Sequence, residues 1–181
     1  RSNAYSHNLN DAVRGYTGAS PANAAAVKVL AADATDLEGL GDTITTAIQR
    51  GFVQSSTSNG FIVNKGTSGS QDGFYTNASG HTYAAWQWLA ANGTATNEVG
   101  TITSTVSANQ TTGFSIVRAA SMAGSGGTIG HGLGTVPDMV IGRMQSETFN
   151  WQVWHQGLTN GTYSMHLNDT SAQAAVATVY T

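Results

Sequence analysis

Tyr163-Ser164-Met165-His166-Leu167-Asn168 alternates apolar and polar side chains. A period of two puts Tyr163, Met165 and Leu167 on one face of an extended chain and Ser164, His166 and Asn168 on the other. That pattern is a half-buried β-strand with one wet face. Upstream, Trp151, Val153 and His155 share a face opposite Gln152 and Trp154. Trp86 and Trp88 do the same within Tyr83-Ala84-Ala85-Trp86-Gln87-Trp88-Leu89. Phe114-Ser115-Ile116-Val117 and Met139-Val140-Ile141 are short apolar runs, as expected of strands covered on both faces. Ile44 and Ile48 bracket a Thr-rich stretch, 43–47, whose β-branched content also favours a strand.

Turn chemistry separates these runs. Asn59-Gly60, Asn92-Gly93 and Asn160-Gly161 are dipeptides suited to tight hairpin turns, and glycine-rich breaks fall at 66–73 and 124–134. Closely spaced strands with turn signals indicate a sandwich or barrel rather than alternating βαβ units. One segment disagrees. Ser20-Pro21-Ala22-Asn23-Ala24-Ala25-Ala26-Val27-Lys28-Val29-Leu30 has an N-cap serine, proline at the first helical position and an alanine run, which predicts one short helix or an ordered loop. No internal repeat or Pro/Gly-rich linker divides the chain, so residues 1–181 are expected to form a single β-domain. The start at Arg1, with no apolar segment behind it, reads as a processed product or a piece of a longer polypeptide.

Charged residues make up 9% of the chain, against roughly 25% in ordinary domains, with a formal net charge of −3. A nucleic-acid binder needs clustered positive charge, so no nucleic-acid partner is expected. The same balance removes a polybasic route to anionic lipid, and no apolar run is long enough for membrane insertion. With no cysteine, disulfides and thiolate metal sites are excluded. Ala, Thr, Gly, Ser and Asn replace the missing charges. Such surfaces suit dense, permanent assemblies, where buried charge would be costly to desolvate, and also secreted carbohydrate binders.

The glycine-rich stretch Gly124-Ser125-Gly126-Gly127-Thr128-Ile129-Gly130-His131-Gly132-Leu133-Gly134 fits neither phosphate-binding fingerprint and leads into a strand after Val136-Pro137. It reads as a loop where backbones approach closely. Asp33, Asp36, Glu38 and Asp42 form the densest acidic cluster; carboxylates there could hold calcium, but the order is not that of an EF-hand loop. His7, His81, His131, His155 and His166 lack zinc-site spacing. The serine-nucleophile signature G-x-S-x-G is not present. A glycosidase pair would have to be drawn from scarce acids such as Glu98, Glu147 and Asp138. No catalytic residue is assigned, and the protein is not expected to be an enzyme. The aromatics read mostly as core, with Trp154, opposite Trp151 and Val153, as the aromatic chosen for outward contact. Five sequons, at Asn77, Asn92, Asn109, Asn160 and Asn168, are what a chain rich in Asn, Gly and Thr produces by chance.

An ordered series of motifs carries a resemblance. Asp11-Ala12-Val13-Arg14-Gly15 forms a D-x-x-R-G element, followed by Gly51-Phe52, Gly60-Phe61 and Asn77-Ala78-Ser79-Gly80-His81-Thr82-Tyr83-Ala84-Ala85-Trp86. Then come Gly113-Phe114-Ser115-Ile116-Val117, Gly130-His131-Gly132-Leu133-Gly134, Pro137, Met139-Val140-Ile141 and Trp151-Gln152-Val153-Trp154-His155. The series resembles a domain that recurs in predicted tail-fibre and other virion proteins of bacteriophages, especially marine ones, and it covers nearly the whole chain. The resemblance implies an all-β, antiparallel β-sandwich of jelly-roll or concanavalin A-like type, with a structural or adhesive role. Two departures bear on surface contacts: Arg118-Ala119-Ala120 stands where an aromatic commonly follows the F-S-I-V strand, and Arg143 where a lysine commonly closes the next.

The expected protein is therefore a virion structural component, in a tail fibre or decorating the tail or capsid. It would act as a homo-oligomer beside other virion proteins, with a role in host attachment. The alternative is a lectin-like module for host-surface glycans. Trp154, Trp88, His131 and Arg118 are the expected glycan or subunit contacts. No cofactor is expected beyond calcium at Asp33, Asp36, Glu38 and Asp42.

Overall fold

The computed structural model describes residues 7–18, 28–35, 38, 51–64, 76–119 and 126–176. These hold eleven strands and no helix. The alanine run of the expected helix and the Thr-rich strand at 43–47 lie outside the described residues; Leu30, at the end of the first, begins a strand. Every paired strand is antiparallel. The all-β, antiparallel class expected from the sequence is the one found, and it is consistent with a sandwich. The chain divides into two compact units: residues 1–10, 16–83 and 138–181 in one, and 11–15 and 84–137 in the other.

In the first unit, β1 (Asn8–Leu9) pairs with β2 (Leu30–Ala31), and β3 (Phe52–Thr57) forms a hairpin with β4 (Gly60–Asn64). The Asn59-Gly60 signal falls at the head of that hairpin, where Gly60 pairs with Thr57. The C-terminal part of this unit is a four-stranded sheet. It runs in the order β11 (Ala174–Ala175), β10 (Tyr163–His166), β9 (Gln152–His155), β8 (Met139–Gly142). Leu30, Phe52, Ala78 and Trp151 are the first unit's buried apolar side chains among the described residues. Trp151 is fixed at several points. Its indole N–H donates to the Ala31 carbonyl at 2.8 Å, its backbone N–H donates to Asn168 Oδ1 at 2.8 Å, and its carbonyl accepts the Leu167 N–H. Arg143 lies with its guanidinium carbon 5.1 Å from the Trp151 ring centroid and donates to the carbonyls of Met144, Ala34 and Thr35. Arginine can cover the ring and meet several acceptors at once because its donors are fanned in one plane.

The second unit carries the sheet β5 (Ala95–Asn97), β6 (Ser104–Asn109), β7 (Phe114–Ala119) in that order. Asn109 closes the β6–β7 turn. Its Oδ1 accepts the N–H groups of Thr111 and Thr112, and its carbonyl accepts that of Gly113. Ala90, Val106 and Leu133 are buried here beside Asn97, Ser104 and Ser107. The D-x-x-R-G element is a closed turn. Asp11 Oδ1 accepts the N–H groups of Val13 and Arg14, Oδ2 pairs with Arg14 Nε, and Asp11 bridges to Gly15.

The described part of the glycine-rich stretch, 126–134, has the close backbone approach expected of it. Thr101 and Ile102 donate their N–H groups to the Thr128 carbonyl, and the Thr101 and Thr128 hydroxyls each accept the other's backbone N–H. A Cβ on Gly130 would stand 2.6 Å from the Val99 carbonyl oxygen and 2.8 Å from the Asn97 amide; one on Gly132 would stand 2.9 Å from Ala108 Cβ. Only glycine lets this loop lie so near β5 and β6.

The apolar runs Phe114-Ser115-Ile116-Val117 and Met139-Val140-Ile141 form strands that are not covered on both faces, since Val117, Met139 and Ile141 are exposed. Two further local expectations are overturned. The first is the phase of alternation in β10. Ser164, expected on the wet face, is 3% exposed, whereas Met165 is 42% exposed and Leu167 is also exposed. The Ser164 hydroxyl donates to Gln152 Oε1 on the neighbouring strand at 2.9 Å. A hydroxyl and an amide that satisfy each other lose most of their desolvation cost, so this face can be covered. The second is the stretch 83–89, which forms no strand. Beside it, side chains rather than a strand ladder occupy backbone carbonyls: Thr112 Oγ1 donates to Leu89 and Ser107 Oγ to Ala91.

Candidate contact surfaces

The phase of β10 sets the first surface, on the four-stranded sheet. Ile141 on β8 sits opposite Val153 on β9, which sits opposite Met165 on β10. Side chains in line across adjacent strands stand about 5 Å apart, so the three form one apolar row. Met139, on the same side of β8 as Ile141, and Leu167, two residues beyond Met165, extend it. Met139, Ile141, Met165 and Leu167 are all exposed, and Val153 is half-buried. Contiguous apolar side chains facing outward mark an interaction surface more often than scattered ones do.

Trp154, the aromatic chosen from sequence for outward contact, lies on the opposite face of β9 from Val153, pairs with Val140 and is half-buried. The outward-facing tryptophans are in the second unit instead. Trp86 is 72% exposed and Trp88 62%, with Leu89 exposed beside them. Trp88 stacks on Phe114 of β7, with centroids 6.1 Å apart and planes 22° from parallel. With the carbonyls of Leu89 and Ala91 held by hydroxyls, the ring is presented from an anchored backbone. His131 is half-buried, and its Nδ1 accepts the Leu133 N–H at 3.2 Å. Arg118 is exposed on β7, opposite Thr105.

The acidic cluster is only partly described. Asp33 is exposed and its Oδ1 accepts the His7 N–H at 2.8 Å; Glu38 Oε2 lies 3.9 Å from Lys28 Nζ. Asp36 and Asp42 lie outside the described residues. No group of three or more His, Asp or Glu side chains stands in metal-holding geometry among the described residues. Glu98, Glu147 and Asp138 are exposed.

One cluster was not singled out in the sequence. His166 Nδ1 lies 2.7 Å from Asp169 Oδ2, and Asp169 Oδ1 accepts the Ser171 N–H. The Ser171 N–H, and after it His166, hold the Asp169 carboxyl below its usual value of 3.8. Asn168 donates to Asn150 Oδ1, which turns the Asn150 amide nitrogen to within 3.2 Å of the same His166 nitrogen. The carboxylate makes the closer of the two approaches, and a proton on Nδ1 would point at it. His166-x-x-Asp169 was legible as an i, i+3 pair, but nothing in its spacing distinguishes it from chance.

No curated protein and no solved structure matches the chain. Over its whole length, residues 1–181, the sequence matches the family described as "Domain of unknown function (DUF7483)", and the protein belongs to that family.

Proposed function

We propose that the protein is a structural component of a bacteriophage virion, in a tail fibre or as a decoration on tail or capsid, working as a symmetric homo-oligomer beside other virion proteins. The observation that carries this reading is the outward apolar row Ile141–Val153–Met165, extended by Met139 and Leu167, in a chain with 9% charged residues. A sheet face of this kind gains by burial against a like surface, and a chain poor in charge gives up little hydration in doing so. The motif series running from Asp11 to His155 supports the assignment to a virion. Repetition in such a particle turns weak single contacts into avidity, which suits host attachment.

A second reading, a lectin-like module for host-surface glycans, is favoured by Trp86 and Trp88, whose rings stand out from an anchored backbone. An indole offers an apolar face for stacking on the C–H side of a sugar ring.

Light scattering on the purified chain, beside the Ile141→Lys and Met165→Lys variants, tests the first reading. An oligomer that both variants reduce to folded monomers supports it. A wild-type monomer at high micromolar concentration, or an oligomer indifferent to both lysines, contradicts it.

A further inference from the structure

The chain contains the tripeptide Asn-Gly-Thr twice, at Asn92-Gly93-Thr94 and at Asn160-Gly161-Thr162. An asparagine followed by glycine can modify itself, because the glycine nitrogen has no side chain beside it to screen its attack on the asparagine Cγ. The two copies stand in opposite surroundings. Asn92, Gly93 and Thr94 are all exposed, the Asn92 side chain makes no hydrogen bond among the described residues, and no atom beyond its two chain neighbours lies within 4 Å of where a Gly93 Cβ would stand. At the second copy, Asn160 Oδ1 accepts both the Thr162 N–H at 2.9 Å and the Thr162 hydroxyl at 2.6 Å, and the Asn160 carbonyl accepts the Tyr163 N–H.

We propose that Asn92 is a site of spontaneous succinimide formation and deamidation, and that the turn around Asn160 suppresses the same reaction in the same tripeptide. The Gly93 backbone nitrogen attacks the Asn92 side-chain carbonyl. The new C–N bond closes a five-membered imide, the Cγ–Nδ2 bond breaks, and Nδ2 leaves as ammonia with the proton lost from the Gly93 nitrogen. Water then opens the ring at either carbonyl, giving aspartate or isoaspartate. No oxidant or reductant is involved. Each event replaces an amide by a carboxylate and takes the formal net charge from −3 to −4, a sizeable change in a chain with so few charges. The isoaspartate product also adds a methylene to the main chain between Ala91, whose carbonyl is held by Ser107, and β5.

Asn160 must break two hydrogen bonds to free its amide, and Asn92 none. That difference slows Asn160 by about tenfold, or by more if both bonds are strong. The remaining Asn-Gly step, at Asn59, is followed by Phe61 and pairs Gly60 with Thr57, so it is not a matched comparison.

The test is peptide mapping by mass spectrometry on the 181-residue chain held at mildly alkaline pH, folded and in urea. Electron-transfer fragmentation separates aspartate from isoaspartate. In urea the two sites should react at nearly the same rate, because both carry Asn-Gly-Thr. In the folded chain Asn92 should react about tenfold faster than Asn160. Thr162→Val, which removes the hydroxyl donor, should speed Asn160 and leave Asn92 unchanged. Equal rates in the folded chain, a faster Asn160, or an Asn92 that reacts only in urea would each overturn the proposal. Unequal rates in urea would place the difference in the sequence and overturn it equally.

Discussion

Replacing Arg143 by alanine removes the side chain that joins residues 34–35 to the segment between β8 and β9. Its guanidinium donates to the Thr35 and Met144 carbonyls at 3.0 Å each, reaches the Ala34 carbonyl at 3.5 Å, and lies over the buried Trp151 ring. The two shorter bonds are partly solvated, so each contributes about 0.5–1 kcal/mol rather than the larger value of a buried charged bond. The ring contact adds about 0.5–1 kcal/mol. Arg143→Ala should therefore destabilise the chain by about 2 kcal/mol, or about 4–8 °C in Tm at this length. Lysine keeps the charge and the aliphatic stem but reaches one acceptor where the planar fork reaches three, so Arg143→Lys should lose about half as much. Urea unfolding followed by tryptophan fluorescence, with matched m-values, measures both. An alanine that costs less than about 0.5 kcal/mol, the ordinary range for a surface substitution, would mean that Arg143 does not hold these segments together. A lysine as costly as alanine would refute the division between fork and charge.

Gly130→Ala should be among the most damaging small changes, costing about 3 kcal/mol or more, because the new methyl meets the Val99 carbonyl and the Asn97 amide at 2.6 and 2.8 Å. Urea unfolding reads the loss. Ser164→Ala leaves the Gln152 carbonyl without its hydroxyl donor on the covered face and should cost about 1–3 kcal/mol, whereas Met165→Ser on the outer face should leave monomer stability nearly unchanged. Asp169 has a folded-state value held below 3.8, so its contribution to stability is complete above that value and is lost as pH falls through the depressed one. Asp169→Asn should remove that component of the acid limb, seen as a flatter dependence of unfolding on pH below about 4.

The sequence indicated the strands better than their environment. Phe114-Ser115-Ile116-Val117, Met139-Val140-Ile141, Gln152 to His155 and Tyr163 to His166 all lie in strands, and the Asn59-Gly60 signal falls at a hairpin head. Period two says that a strand has two faces; it does not say which one is covered. In β10 the covered face is that of Ser164, because a partner on the next strand, Gln152, makes its burial cheap. No pattern local to residues 163–168 could report that partner. The stretch 83–89 failed for a related reason, since the hydroxyls fastening the adjoining carbonyls come from Ser107 and Thr112, well downstream. The glycine-rich loop was legible because the need for glycine is local: backbone against backbone leaves room for nothing else. Arg143 stands out in the sequence only as a departure from a lysine, because its carbonyl acceptors at residues 34 and 35 lie over a hundred positions away.

The central claim, that the outer face of β8, β9 and β10 is a subunit contact in a virion, is met most directly by electron cryo-microscopy of the native particle or filament carrying this chain. Repeated, symmetry-related copies with Met139, Ile141 and Met165 buried between neighbours are expected. A lone projecting copy, with that face in solvent and the Trp86 and Trp88 rings open at the tip, would contradict it.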